Sequence, residues 1–251
     1  MIRPVSNRLL LRYGAVAAAA ALACTACSGS GSGGNAAQPP AAASPAASSS
    51  AAPAAAPPDA ATVGETVKAA MKKSTAVHVK GSKSEDGKMK VDMQFNKDSV
   101  SGSIEKDGVE VPVRRVGDKV WMRFSKSLTK EAGLPAEAAA MVNDKWVSLD
   151  SQLGQGLGEA FKLFLDYDVF VGSMADDAAK PGYSAGEPAD VAGTPALRYK
   201  NGTRTIFEAA GSHRLLRLES PSEGTMEFSG WDQPVPAQAP PAAEIYSGPG
   251  S

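Results

Sequence analysis

The sequence predicts an α+β fold, in which a strand-rich antiparallel sheet is covered on its apolar face by helices. Three observations carry this. Runs between Val77 and Phe124 alternate apolar and polar residues, a strongly apolar stretch of helical character follows, and the strand pattern returns between Ala196 and Phe228. Alternation with a period of two marks strands with one buried face, whereas spacings of three and four mark a helix.

Taken in order, the first element is helical. Thr62, Val63, Val67, Ala70 and Met71 share one side, Lys68, Lys72 and Lys73 lie opposite, and Asp59 or Thr62 is placed to cap it. Strands follow at Val77–Val79, Met89–Phe95, Val100–Ile104, Val109–Val113 and Val120–Phe124. Asp86-Gly87, Asn96-Lys97-Asp98, Asp107-Gly108 and Gly117-Asp118 separate them as turns, so this half reads as an antiparallel meander with one apolar and one polar face. A short helix is expected over Leu134–Val142, with Pro135 near its start, and a brief extended bridge over Trp146–Leu149. Leu153, Leu157, Phe161, Leu163, Phe164 and Leu165 then form an apolar helical patch continued by Val169, Phe170, Val171 and Met174. Strands return at Ala196–Tyr199, Thr205–Phe207, Leu215–Leu218 and Met226–Phe228, with turns at Asn201-Gly202 and Gly211-Ser212. Helices packed over a sheet make a two-layer arrangement with a hydrophobic interlayer.

The 251 residues divide by composition into four segments. Residues 1–23 read as an export signal. Arg3, Arg8 and Arg12 form the positive region, and Gly14–Ala23 is an apolar run too short to span a bilayer. No paired arginines precede it, which favours the general secretion route. The run ends Ala-Leu-Ala-Cys, which resembles the lipobox of bacterial lipoproteins, where the cysteine is acylated and becomes the new N-terminus. Cys24 fits that pattern better than Cys27, and one of the two is the expected attachment point. Residues 24–58 hold the acylated cysteine and a tether that from Ser28 to Pro58 contains only Ser, Gly, Asn, Ala, Gln and Pro, too poor in apolar side chains to offset its ordering entropy. As a coil the tether would reach about 30 Å, and fully extended about 95 Å. Residues 59–233 are the only stretch long enough to bury a core, and 234–251 form a Pro/Ala-rich tail expected to be mobile.

Composition also excludes some functions. The net charge is −1, and all charge before Asp59 comes from three arginines, so the folded segment is mildly acidic and does not suit nucleic acid. Both cysteines lie before that boundary and only two histidines follow it, which argues against structural metal sites, disulfides and metal cofactors.

Four features together resemble the LppX/LprG-type lipoprotein family of actinobacteria, whose architecture is LolA-like. They are the lipobox with its long tether, the opening helix followed by Val77-His78-Val79, the run from Gly117 to Met122, and the late Gly193–Tyr199 strand. His213–Glu219 fits as well, and the resemblance spans roughly Thr62 to Trp231. It implies a curved antiparallel half-barrel with helices on its concave side, enclosing a cavity that takes acyl chains of lipids or lipoglycans, and it supplies no catalytic motif. On that expectation the sheet side of the cavity is lined by Val77, Val79, Val91, Met93, Phe95 and Met122, and the helical side by Leu157, Phe161 and Phe164. The seven methionines from Met71 to Met226 suit a surface that adapts to variable chains. The expected protein is an exported, non-catalytic lipoprotein on the outer face of the cytoplasmic membrane, binding and transferring lipid and serving a membrane transporter. The alternative is an envelope sensor or protein-interaction module of the same fold.

Other motifs point to chemistry less well. Gly182-Tyr183-Ser184-Ala185-Gly186 is formally a nucleophile motif, with Asp190 and His213 in the order of an α/β-hydrolase, which would make the protein an esterase. Pro181 before it and Pro188 after it oppose the required strand–turn–helix context. Gly154–Gly158 lacks the flanking residues of a phosphate loop and reads as flexible entry into the helical stretch. His78 and His213 read as solvated, as do Asp176-Asp177 and the pair Glu187 and Asp190, while the sequon at Asn201 reads as a hairpin turn.

Overall fold

The computed structural model describes residues 57–83, 89–154, 164–222 and 224–248. Helix α1 (Val63–Lys72) is followed by β1 (Ala76–Lys83), β2 (Met89–Asn96), β3 (Ser99–Lys106), β4 (Val109–Val116) and β5 (Lys119–Arg123). Then come α2 (Lys126–Glu131), α3 (Ala136–Val142), β6 (Trp146–Ser148) and α4 (Tyr167–Ala178). The last strands are β7 (Glu187–Val191), β8 (Thr194–Asn201), β9 (Arg204–Ala209), β10 (Leu215–Ser220) and β11 (Gly224–Ser229), before a 3₁₀ turn at Ala242–Glu244.

All strands join one antiparallel sheet of order β6-β5-β4-β3-β2-β1-β11-β10-β9-β8-β7. Two hairpin ladders, one from each half of the chain, therefore meet at a single seam between β1 and β11, where Val79 faces Phe228. The sheet is open, curved and unclosed. Neighbouring strands approach closely at two inward-facing glycines. A Cβ on Gly81 would lie 2.8 Å from Met226 Cα, and one on Gly102 would lie 2.7 Å from Met93 Cα. Only glycine lets neighbouring strands approach so closely at a bend. A register shift between Leu215 and Arg217 bends β10 as well.

The concave face carries the core. Val77, Val79, Met93, Phe95, Val113, Met122, Ile206 and Leu215 point into it and are covered by Val63, Val67 and Met71 of α1 and by Val171 and Ala175 of α4. The structure thus has the half-barrel architecture with helices on its concave side. Two elements go beyond the sequence expectation. Helix α2 forms in a stretch for which the sequence pattern predicts no element, with Ser125 Oγ accepting from Leu128 N at its start. Strand β7 forms despite Pro188 because it is an edge strand, where a missing N–H costs no ladder bond.

The outer face is less polar than the alternation suggests. Trp121 and Trp146 are buried there, and Val191, Ala196, Phe207, Ala209 and Leu216 make a second small cluster. The chain beyond Trp231, which includes the stretch from Pro234 whose composition predicts mobility, runs from β11 across the outer face to the far edge. Asn96 Nδ2 donates to Val235 O and Asn96 Oδ1 accepts from Val235 N, both at 3.0 Å, and Ser99 Oγ accepts from Ala237 N. Tyr246 N donates to Trp146 O at 2.8 Å, and Ile245 bridges Trp146 in parallel, which covers the open edge of β6.

Candidate functional site

Helix α4 crosses the concave face because both of its ends are fixed. Asp166 caps its start by accepting from Val169 N, and Arg115 of β4 reaches Asp166 Oδ2 at 3.2 Å and Leu165 O at 3.1 Å. At the other end Tyr183 Oη donates to Ala178 O and Arg204 donates to Asp177 O, both at 2.9 Å. Burial of Tyr183 pushes its hydroxyl pKa up to about 12, so it stays a donor. Phe170 lies flat on Phe95 of β2, centroids 4.2 Å apart, with Phe164 edge-on to it at 5.7 Å.

Beyond this aromatic stack, toward the end of the sheet where β10 turns into β11, the helix and the strands leave an apolar recess of about 250 Å³. Met89, Val91, Leu218, Gly224 and Met226 form its sheet side, and Phe164, Phe170 and Met174 its helical side. Met226 Sδ lies over Gly81, 2.7 Å from where a Cβ would stand, so the missing side chain is what seats this methionine. Among the described residues the only ionisable one on the wall is Asp177. Burial pushes its carboxyl pKa up, but the hydrogen bond from Lys180 at 2.7 Å and the charge of Arg204 at 3.4 Å more than reverse this, and it lies below the ordinary range. Asp177 is therefore an ion-paired rim group and not a proton donor. The described residues of the wall bring no nucleophile and no acid–base pair together, and they can remove an apolar surface from water.

Two other depressions are larger but polar. One of about 580 Å³ on the outer face is lined by Lys80, Lys90, Asp92, Glu105, Glu110 and Glu227 among others. The other, of about 520 Å³, lies between α1 and the β9–β10 turn. Size does not decide between them and the recess, because wall chemistry determines what can bind.

Of the residues expected to line a cavity, Val91 and Phe164 border the recess. Val77, Val79, Met93, Phe95 and Met122 are packed into the core beneath the helices and do not border it. Leu157 and Phe161, together with Cys24 and Cys27, lie outside the described residues, as do Gln155–Gly158 of the glycine-rich run. Met89, Met174 and Met226 were visible in the sequence as adaptable side chains, and Phe170 with Met174 as an i, i+4 pair; nothing local marked Leu218.

The hydrolase constellation is not assembled. Ser184 Oγ accepts from Lys200 N, near the end of β8, while His213 sits at the turn after β9, at the opposite end of the sheet, and bonds Glu208 through Nδ1 at 2.9 Å. Asp190 accepts from Gly193 N in its own hairpin. His78 bonds Asp92 at 2.7 Å, Glu187 pairs with Arg198, and Asp176 pairs with Lys68 at 3.0 Å. Asn201 and Gly202 form the β8–β9 turn, with Gly202 at φ 58°. Among the described residues no three His, Cys, Asp or Glu side chains converge on a metal position, and no helix is long and apolar enough to cross a membrane.

A large open antiparallel sheet, curved around helices that leave an apolar recess on its concave side, defines an α+β half-barrel. No family profile and no curated protein matches the sequence. Among solved structures the chain is similar to LprF from Mycobacterium bovis, at 13% identity over 72% of this chain and 96% of that one, with a TM-score of 0.46. It is also similar to MucB in the MucA/MucB complex of Pseudomonas aeruginosa, at 14% identity over 76% of this chain and 62% of that one, with a TM-score of 0.29. These likenesses concern the fold alone.

Proposed function

We propose that this protein is a lipid-anchored envelope protein that shelters acyl chain in the recess between α4 and the sheet, and passes it between membrane sites. Cys24, or failing it Cys27, carries the anchor on the outer face of the cytoplasmic membrane, and residues up to 58 hold the domain away from the bilayer. The observation that supports the reading is the recess, whose described wall residues are apolar except for the ion-paired Asp177. Transfer of each methylene from water into such a wall is worth on the order of 0.8 kcal/mol, so a chain segment of moderate length needs no covalent chemistry to be held. The test is to purify the full chain from its own membranes and extract it with organic solvent, which removes bound lipid but leaves a thioether-linked anchor on the protein. Near-stoichiometric acyl lipid in the extract is expected; an extract without it overturns the reading. That result would favour a second reading, a non-catalytic sensor or protein-interaction module, which the close packing of the rest of the concave face also supports.

A further inference from the structure

Resting on the reading of the recess as an acyl site, we infer that it accepts a single unbranched acyl chain and excludes lipids that must bury two or more. A volume of about 250 Å³ falls just below the roughly 300–1,000 Å³ of pockets for drug-sized ligands. A second chain would need a second space, and among the described residues three walls deny it. On the α1 side the two helices touch backbone to backbone: a Cβ on Gly64 would meet Ala178 O and Ala179 Cα, each at 2.9 Å. Toward the middle of the sheet the Phe95–Phe170 stack closes the recess, with Phe95 wholly buried. Toward β9 stands the Asp177–Arg204 pair, whose guanidinium side chain is only 11% exposed and which a second chain could reach only by desolvating it further. Close-packed walls of this kind do not yield by the width of a hydrocarbon chain without loss of packing.

The remaining side is the adaptable one. Met89, Met174 and Met226 are unbranched and flexible, so they can follow a kinked or straight chain without adding volume. The chain end therefore enters at the β10–β11 end of the sheet and stops at the Phe170 ring, and the headgroup stays outside. The shared chemistry is one acyl chain, whether from a free fatty acid or from a lysophospholipid.

The test is native mass spectrometry of the full chain, stripped of extractable lipid and offered palmitate, palmitoyl-lysophosphatidylglycerol and dipalmitoyl-phosphatidylglycerol in equal amounts. One palmitate or one lysophospholipid per protein is expected, with the diacyl lipid at least tenfold disfavoured, and the palmitate-to-lysophospholipid ratio identifies the source. Equal or preferred uptake of the diacyl lipid would overturn the single-chain inference while leaving the lipid reading intact; uptake of none of the three would overturn both. Two variants localise the effect. Phe170→Ala, which removes the stop, is expected to reduce the discrimination against the diacyl lipid, and Met174→Trp, which fills the recess, is expected to lower uptake of every chain at least tenfold with the circular dichroism spectrum retained. Unchanged uptake by folded Met174→Trp would place the chain elsewhere and refute the inference.

Discussion

Glu208 stands on the concave face of β9 with no exposed side-chain surface. Its Oε2 bonds His213 Nδ1, but Oε1 has no hydrogen-bond partner among the described residues. Burial raises its carboxyl pKa above the usual 4.5, and the hydrogen bond and charge of His213 offset only part of this. A group whose folded pKa is raised contributes stability below its unfolded pKa and loses it as pH rises through the folded value. Ionised Glu208 is thus a cost at neutral pH. Glu208→Gln, of the same shape, is expected to raise stability at pH 7–8, with the gap closing toward pH 4.5; thermal melts across that range check it, and a gap that widens on acidification would refute it. Gly81 makes an opposite kind of case. Replacing glycine by alanine in a strand is ordinarily stabilising, by about 0.5–1 kcal/mol, yet here the added methyl meets Met226 Sδ at 2.7 Å. Gly81→Ala is expected to cost about 1–3 kcal/mol through overpacking, read as a lower denaturant midpoint at unchanged slope. Neither residue was legible in the sequence. Glu208 occupies an inward position of a strand whose pattern predicts an apolar residue, and the role of Gly81 depends on a strand more than 140 residues away.

At the scale of elements, the strands of the first half were readable because each shows one face to the core and the other to solvent, so their period survives in the sequence. Strand β7 and helix α2 were not, since an edge strand tolerates proline and a six-residue helix shows too little period. The composition of the C-terminal stretch hid its contacts for another reason. Proline and alanine build little ladder, and the first part of this segment is held by side chains of the β2–β3 turn. Asn96, 2% exposed, is the central clamp: its amide bonds both the N–H and the C=O of Val235, as a neighbouring strand would. Asn96→Ala strands those groups and is expected to cost about 1–3 kcal/mol. It should also loosen the segment over Trp121 and Trp146, detectable as a red-shifted tryptophan emission and faster proteolysis beyond Trp231. A melting point lowered without either change would mean that Asn96 supports only its own turn.

For the whole molecule, the sequence announced two sets of strands and a helical stretch between them, but not how the sets join. Alternation reports which residues face inward and carries no information on which strand lies beside β1. The join, β1 against β11, pairs residues about 150 positions apart, from His78 with Ser229 to Ser82 with Thr225. Each half can form its hairpins locally, whereas the seam must close a long loop first, and contacts of such separation are slow to form. Folding in milliseconds to seconds is expected, with the seam consolidating after the hairpins. Phe228, 3% exposed at the seam and stacked on Trp231 at 6.2 Å, and Met93, wholly buried within the β1–β2–β3 ladder, separate the two stages. Phe228→Ala is expected to lose about 3–5 kcal/mol and Met93→Ala about 2–5 kcal/mol. If the hairpins form first, the loss from Phe228→Ala appears almost wholly as faster unfolding, while Met93→Ala also slows refolding. Chevron plots of the two variants measure this directly. A Phe228→Ala variant whose refolding slows in proportion to its whole loss of stability would show that the seam forms in the transition state, and that the two halves fold together and not each on its own ladder.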